Sequence, residues 1–337
     1  MARIHALIAG ATALSAFACG EPFSNDDLVF LKSLPTKDVV NLRLPEDDAA
    51  SALHEAEDPP MTAIYYAAAK NVSKGINGGI QDTLDLVEKI RVYPPTIRRD
   101  DFRAWGPIDG GAIEYALFVT KTSTPAMRVP TSSTTLVPAH DVFTFSFGAR
   151  MKGETDFAGV IAGEFAPIDG ADRGIGWLFF DYERLHQLDP AANPSRGRSW
   201  VGYDTRSGVS LMMSFELPPD MPGAMAQLGG YYRYTRTPEG VVDFLFAYKH
   251  DLSVGENQPP ISALETFYVF ARWNKDHRGR ADLVVMDGDL MQPIGGSECW
   301  DDRFFRVYFQ ASIPELGAPY GDVSACAPGL EMPLYPR

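Results

Sequence analysis

The stretch VSLMMSFEL at residues 209–217 has an apolar side chain at every second position. A period of two residues predicts a β-strand with one face in a hydrophobic core, since successive side chains point to opposite faces. The stretches at residues 143–148 and 242–248 alternate in the same way. The chain is therefore predicted to be mainly β. The alternating apolar residues of the first stretch are Val209, Leu211, Met213, Phe215 and Leu217.

About nine such segments are found in the C-terminal two thirds of the chain. Short connections rich in Gly, Pro or Asn lie between several of them, as at residues 238–240 and 274–279. Connections of this kind join antiparallel neighbours. We therefore predict an antiparallel meander that forms a barrel, a half-barrel or a sandwich. The segments are near residues 112–122, 141–151, 157–166, 173–180, 207–217, 230–236, 241–250, 265–273 and 279–286.

A helical period precedes the strands, within residues 61–92. Apolar residues recur there at intervals of three and four, which predicts an amphipathic helix that packs on the sheet. Gly75, Gly78 and Gly79 interrupt the stripe, so either two helices or one kinked helix is expected. The residues of the stripe are Ile76, Ile80, Leu84, Val87 and Ile90.

Two shorter helices are predicted farther along the chain. The run from Tyr182 to Leu188, before Asp189 and Pro190, indicates a helical insertion between strands. Near the C-terminus, apolar residues at helical spacing follow Ser297, whose hydroxyl could cap a short helix. These apolar residues are Trp300, Phe304, Val307 and Tyr308.

The first twenty residues predict export. An apolar run from Ala6 to Ala18 follows Arg3 and is too short to span a bilayer, which needs about 20 apolar residues as a helix. The sequence AFAC ending at Cys19 resembles the lipobox of bacterial lipoproteins. This resemblance implies that residues 1–18 are a signal peptide and that Cys19 carries lipid. In lipoproteins the residue after the cysteine influences sorting, and Gly20 implies the outer membrane. The alternative is ordinary secretion with cleavage near Ala18.

An acidic segment follows the leader. Residues 21–60 hold ten acidic and three basic side chains, which accounts for half of the net charge of −14. Self-repulsion extends such a segment, so residues 19–60 are predicted to be a tether. Val40, Leu42 and Leu44 predict one short strand within it, and residues 46–60 are the expected linker. Residues 61–337 are then expected to be a single β-rich domain.

The whole composition excludes two classes of protein. With 45% hydrophobic residues the chain can bury a core, which rules out disorder over its whole length. The charge balance of 30 Lys and Arg against 44 Asp and Glu argues against nucleic-acid binding, which needs a basic surface.

Two cysteines remain if Cys19 carries lipid. An exported protein lies in a compartment where disulfides persist, so Cys299 and Cys326 are predicted to be bonded. Two buried free thiols are the alternative.

The C-terminal third resembles an uncharacterised group of Gram-negative bacterial lipoproteins. The residues that carry the resemblance are GRADL at 279–283, GDL at 288–290, SECWD at 297–301 and Cys326 after Ala325. The resemblance implies lipidation, the Cys299–Cys326 pairing and a β-rich body, and it implies no activity. A lipid-anchored sheet with a helix against it is also similar in architecture to periplasmic lipoprotein carriers of the LolA and LppX type.

Aromatic strand faces are the candidate binding feature. They either fill a closed core or line a cavity for an apolar ligand. We expect a non-enzymatic outer-membrane lipoprotein, bound to the membrane through its lipid, that binds an apolar ligand or another envelope component. A structural envelope protein without a ligand is an alternative. The candidate lining residues are Phe143, Phe145, Phe147, Trp177, Phe179, Met213, Phe215, Phe244 and Phe246.

A glycan-acting hydrolase is the alternative from another class. It would use two of the strand glutamates Glu114, Glu164, Glu216 and Glu265 as acid and base. The pairs His140-Asp141 and His250-Asp251 lie at strand edges without further ligands in sequence, so they are interpreted as turn residues. No metal and no cofactor are expected.

Overall fold

The computed structural model describes residues 23–34, 36, 40–44, 61–125, 127–128, 136–137, 140–168, 173–218, 230–250 and 264–330. The helices are α1 (Asn25–Lys32), α2 (Ile64–Arg91) and α3 (Tyr182–Leu188). The strands are β1 (Ile97–Arg99), β2 (Phe102–Asp109), β3 (Ile113–Thr124), β4 (Met127–Arg128), β5 (Leu136–Val137), β6 (His140–Met151), β7 (Ala158–Ile168), β8 (Arg173–Asp181), β9 (Arg198–Asp204), β10 (Val209–Glu216), β11 (Tyr231–Arg236), β12 (Val242–His250), β13 (Glu265–Trp273), β14 (Gly279–Asp287), β15 (Ile294–Trp300), β16 (Arg306–Ala311) and β17 (Tyr320–Gly321).

Fifteen of these strands form one antiparallel meander, and β4 and β5 form a separate pair. All nine predicted segments are strands of the meander. The predicted number is nevertheless wrong, because β1, β2, β9, β15, β16 and β17 also belong to the sheet. The predicted barrel is wrong as well: β1 and β17 are the two edges of the strand order, so the sheet is not closed.

The chain divides into two compact units. The first comprises residues 1–39 and 81–206, and it contains α1, the C-terminal part of α2, β1 to β9 and α3. The second comprises residues 40–80 and 207–337, and it contains the first part of α2 together with β10 to β17.

In the first unit, α1 packs on one face of the sheet. The ring of Phe30 lies edge-on to Phe143 of β6, with 5.6 Å between the ring centroids. The guanidinium of Arg103 from β2 lies 4.5 Å from the centroid of Phe30. Phe143, Phe145 and Phe147 are all buried on this face. We call it the covered face, and the opposite face of the same sheet the outward face.

In the second unit, aromatic rings form a ladder across β11, β12 and β13. Successive ring centroids are 5.0–6.4 Å apart. Tyr66 of α2 packs against Trp300 at 5.5 Å, which holds the start of the helix on the sheet. The rings of the ladder are Tyr234, Phe244, Phe246, Tyr248 and Phe267.

The predicted amphipathic helix is confirmed as α2, a single helix of 28 residues. All five residues of its predicted stripe are buried. The glycines do not divide the helix, and a Cβ added at Gly75 or Gly78 would meet no atom within 4 Å. No helix among the described residues is both long and apolar enough to cross a bilayer.

The helical insertion at Tyr182–Leu188 is also confirmed, as α3. The carboxylate of Asp181 caps it by accepting a hydrogen bond from the Arg184 amide at 2.9 Å. Tyr182 and Leu185 are its buried residues.

The predicted helix near the C-terminus is wrong, because β15 and β16 form a hairpin there. The carboxylate of Asp301 accepts hydrogen bonds from the amides of Arg303 at 2.9 Å and Phe305 at 3.0 Å. Such side-chain bonds stabilise a turn in place of a helix. Phe304 has a φ of 65°, which a continuing right-handed helix does not contain.

The short strand expected at Val40, Leu42 and Leu44 is wrong too, because residues 41–44 lie in no strand. The three side chains are nevertheless buried. Asn77 of α2 exchanges two hydrogen bonds with the backbone of Leu42, at 2.8 and 2.9 Å. The side-chain amide of Asn77 thus binds the backbone N–H and C=O of Leu42, which in a sheet would bind a neighbouring strand.

α1 lies inside the segment expected to be a tether. Its Asp27, Phe30 and Leu31 are buried, so this part of the acidic segment contributes to the core of the first unit. Residues 1–18, Cys19 and the linker at residues 46–60 lie outside the described residues.

The predicted disulfide is confirmed. Cys299 in β15 is bonded to Cys326, with 5.4 Å between their Cα atoms. The bond ties the end of the described chain to the sheet of the second unit.

Candidate binding surface

Most of the predicted lining residues are packed core. Six of them are buried, on the face of the sheet that α1 covers in the first unit or on the face of the aromatic ladder in the second. Phe215 of β10 is half-buried beside Tyr232, at 5.6 Å between ring centroids. The six buried residues are Phe143, Phe145, Phe147, Met213, Phe244 and Phe246.

Trp177 and Phe179 lie on the outward face of the first unit. They alternate along β8 with the buried residues Leu178 and Phe180. The register therefore separates these two candidates from the phenylalanines of β6, which share the covered face with Leu178.

Two further apolar residues lie beside them. Ile175 precedes Trp177 on the same face of β8, and Trp200 of β9 is directly opposite Phe179. The rings of Phe179 and Trp200 are 4.8 Å apart. Ile175 is 41%, Trp177 42% and Trp200 41% exposed. We call Ile175, Trp177, Phe179 and Trp200 the aromatic strip.

Small residues border the strip. In the strand register, Ala166 and Ala162 of β7 lie opposite Ile175 and Phe179, and Gly202 of β9 lies opposite Trp177. Glu164 on β7 and Trp200 and Asp204 on β9 are the larger neighbours. The outward side chains of β8 form an apolar ridge, and the small residues lie beside part of it.

Charged residues surround the ridge. Arg198 forms an ion pair with Asp181 at 3.4 Å, and Arg206 forms one with Asp204 at 2.6 Å. The Arg206 guanidinium holds the pKa of Asp204 below its usual value, against a smaller opposing effect of burial. Glu164 of β7 lies directly opposite Trp177 in the register.

The strand glutamates of the hydrolase alternative do not converge. Glu114 bonds to Arg150 at 2.8 Å. Glu114 and Glu164 lie opposite positions 150 and 144 of β6, six residues or about 20 Å apart along that strand. In the second unit, Glu216 is exposed, whereas Glu265 is fully buried with Phe267 on the face of the aromatic ladder. Within each unit, therefore, the two glutamates do not lie together.

The histidine pairs form no metal site in the part of the chain that the structure describes. Asp141 bonds to Ser123 at 2.7 Å and lies 3.9 Å from Lys121. Asp251 lies outside the described residues. No group of three or more His, Cys, Asp or Glu side chains converges among the residues with described positions.

Two buried carboxylates are explained by helix packing. Asp27 accepts hydrogen bonds from Arg103 at 2.7 Å and Arg98 at 3.1 Å. It also forms the capping box of α1 with Ser24. Burial alone would raise the pKa of Asp27, but the hydrogen bonds from Ser24 and the two arginines lower it below its usual value. The carboxylate therefore stays charged and holds α1 in place.

Glu298 has the same role for α2. Its two oxygens accept hydrogen bonds from the amides of Ile64 and Tyr65 at 2.8 and 2.7 Å. Burial raises the pKa of this carboxyl, and the amides and Arg306 partly oppose the effect. Because both oxygens bind the first turn of a helix, Glu298 is a structural group.

Comparison with family models, with curated proteins and with solved structures found no match. Among the described residues, the aromatic strip brings two exposed tryptophans together on one face of the sheet.

Proposed function

We propose that this chain is a non-enzymatic, lipid-anchored envelope protein that binds another envelope component through the aromatic strip. The exposure of Trp177 and Trp200 on the same outward face carries the proposal. A contiguous exposed apolar patch is typical of an interaction site, and tryptophan is enriched among the residues that dominate binding energy.

An interior cavity for an apolar ligand has less support than a surface site. The phenylalanines expected to line such a cavity are buried: Phe143 packs against Phe30 of α1 in the first unit, and Phe244 packs against Phe246 in the second. The hydrolase alternative also has little support, because acid–base catalysis on a glycan needs two carboxylates within about 5–9.5 Å of each other.

The proposed anchor favours a component on the side of the sheet away from the attached membrane. Four residues lie between Cys19 and Ser24, the N-cap of α1, so the proposed anchor is within about 18 Å of this helix at full extension. Because α1 packs on the covered face through Phe30, we propose that this face lies toward the membrane. The strip is on the outward face of the same unit.

Co-sedimentation with isolated Gram-negative cell envelopes tests this function. Full-length protein carrying Cys19→Ala is used, so that no lipid brings it to membranes. We expect the protein to sediment with envelopes, and Trp177→Ala and Trp200→Ala each to weaken binding about tenfold. Tyr320→Ala is the matched control, since Tyr320 is a 49% exposed aromatic residue of the second unit. Equal sedimentation of all four proteins would contradict the proposal.

A further inference from the structure

The charges around the aromatic strip sum to zero. Three arginines and three acidic residues border it, although the whole chain carries a net charge of −14. The excess negative charge therefore lies elsewhere, and the strip itself has no net charge to attract a strongly basic or acidic partner. The six residues are Arg173, Arg198, Arg206, Glu164, Asp181 and Asp204.

Glu164 restricts the chemistry of the occupant further. Its side chain makes no hydrogen bond or ion pair with the described residues, and it lies opposite Trp177 in the register. The acyl chains of a lipid lying on Trp177 would desolvate this carboxylate without supplying a donor, which is costly. The occupant therefore has to present hydrogen-bond donors next to the apolar surface that contacts the ring.

Arg173 supplies the complementary group beyond the Ile175 end of the ridge. It lies on the outward face of β8, two residues before Ile175, and its side chain has no ion-pair partner among the described residues. Donors from Arg173 and acceptors from Glu164 thus border the same apolar ridge. From Ile175 to Phe179 the ridge is about 13 Å long, at a strand rise of about 3.3 Å per residue.

We propose that the aromatic strip binds uncharged sugar units of an envelope glycan. A sugar ring has an apolar C–H face, which packs on Trp177 or Trp200, and a rim of hydroxyl groups. The hydroxyls donate to Glu164 and accept from Arg173, as bonds to charged groups that are stronger than neutral ones. Ala162 and Ala166 lie opposite Phe179 and Ile175, and the residue directly opposite Trp177 on β9 is Gly202, which has no side chain. This inference rests on the proposed function and names the partner of the same site.

Selective destruction of envelope components tests the inference. Isolated envelopes are treated either with a broad-specificity protease or with periodate, which cleaves the vicinal diols of sugars, and are then washed. Full-length Cys19→Ala protein is added to each sample and to phosphatidylethanolamine–phosphatidylglycerol vesicles. We expect binding to survive protease treatment, to fall at least tenfold after periodate and to be absent on the vesicles.

The other outcomes separate the two proposals. Loss of binding after protease, with survival after periodate, would overturn the glycan and leave a protein partner for the strip. Binding to bare vesicles would overturn it in favour of a lipid surface. Binding to untreated envelopes that Trp177→Ala and Trp200→Ala do not change would overturn the proposed function itself.

Variants at the strip give a second readout. Glu164→Gln removes the charge and keeps the shape, so we expect envelope binding to weaken several-fold, whereas Trp177→Tyr retains a stacking ring and most of the binding. Tyr320→Ala is again the control. Circular dichroism and thermal unfolding establish that each variant is folded. Tighter binding by Glu164→Gln would show that the carboxylate opposes the occupant, which would contradict a glycan.

Discussion

The carboxylate of Glu298 lies 2.7 Å from Nε of Arg306, and both side chains are buried within one hairpin of the second unit. Glu298 also accepts hydrogen bonds from two backbone amides in the first turn of α2. The ion pair therefore joins the helix to β15 and β16. Removal of one partner leaves the other charge buried without its ion pair. Such a change typically costs about 3–5 kcal/mol of unfolding free energy.

Arg306→Ala is therefore expected to destabilise the protein by that amount in urea unfolding. Arg303→Ala is the matched control, because Arg303 forms an exposed ion pair with Asp301 at 3.4 Å in the same hairpin. Exposed pairs contribute about 0–1 kcal/mol. Equal unfolding free energies for the two variants would show that the buried pair does not hold the helix.

Because the pKa of Asp27 is lowered in the folded protein, we expect stability to fall in acid. Its hydrogen bonds lower the folded-state pKa below the unfolded value, so the unfolded chain binds the proton more tightly. The stabilisation is present above the unfolded pKa, near 4, and is lost as the pH falls below it. We expect Asp27→Asn to unfold more easily at neutral pH, with a smaller difference from wild type at low pH.

Asp26→Asn serves as the control for this change, because Asp26 is exposed in the same turn of α1. Urea unfolding between pH 7 and pH 3 gives the free energies. A constant difference between Asp27→Asn and wild type across this range would contradict a role for the charge.

The disulfide between Cys299 and Cys326 is also expected to stabilise the protein. The bond closes a loop with a sequence separation of 27 residues, and chain entropy then gives about 3–4 kcal/mol of stabilisation. The double variant Cys299→Ser, Cys326→Ser is expected to lose that amount in urea unfolding. A reduced wild-type protein should match it. Unchanged stability in both would show that the denatured chain is not constrained by the bond.

The two faces of the first unit predict opposite responses to truncation. Phe147 is 0% exposed, so Phe147→Ala is expected to cost about 3–5 kcal/mol of unfolding free energy. Trp177 is 42% exposed, so Trp177→Ala is expected to cost about 1–2 kcal/mol at most. Thermal unfolding measures both. A larger cost for Trp177 would mean that the strip is part of a core.

The period-two pattern made the strands predictable, and it failed where both faces are apolar. Leu178 and Phe180 are buried while Trp177 and Phe179 face outward, yet all four are consecutive apolar residues. A run of that kind does not reveal which side chains share a face. Trp200 was not identified because β9 itself was missed, although Trp200 and Gly202 alternate there with buried Val201 and Tyr203.

The positions of α1 and of the C-terminal hairpin depend on contacts that local patterns do not contain. Asp27 in an acidic segment resembles a solvated residue, and its partners Arg98 and Arg103 are 71 and 76 residues away. The helical spacing around Phe304 has a different cause: a turn held by Asp301 places residues of two strands at intervals of three and four. A tertiary contact determines the structure in the first case and a side-chain hydrogen bond in the second.

If an envelope component covers the aromatic strip, the tryptophans of the strip report on it directly. The chain has five tryptophans: Trp105, Trp273 and Trp300 are buried, whereas Trp177 and Trp200 are 42% and 41% exposed. Fluorine NMR of protein labelled with 5-fluorotryptophan observes these five and no group of the unlabelled envelope. Trp177→Phe and Trp200→Phe assign the two exposed resonances.

On addition of a solubilised envelope fraction, we expect the resonances of Trp177 and Trp200 to shift or broaden and to lose their sensitivity to a soluble paramagnetic agent. The three buried tryptophans should stay unchanged. If the Trp177 and Trp200 resonances keep their positions and their full paramagnetic sensitivity while the protein is bound to envelope material, the strip is not the binding surface.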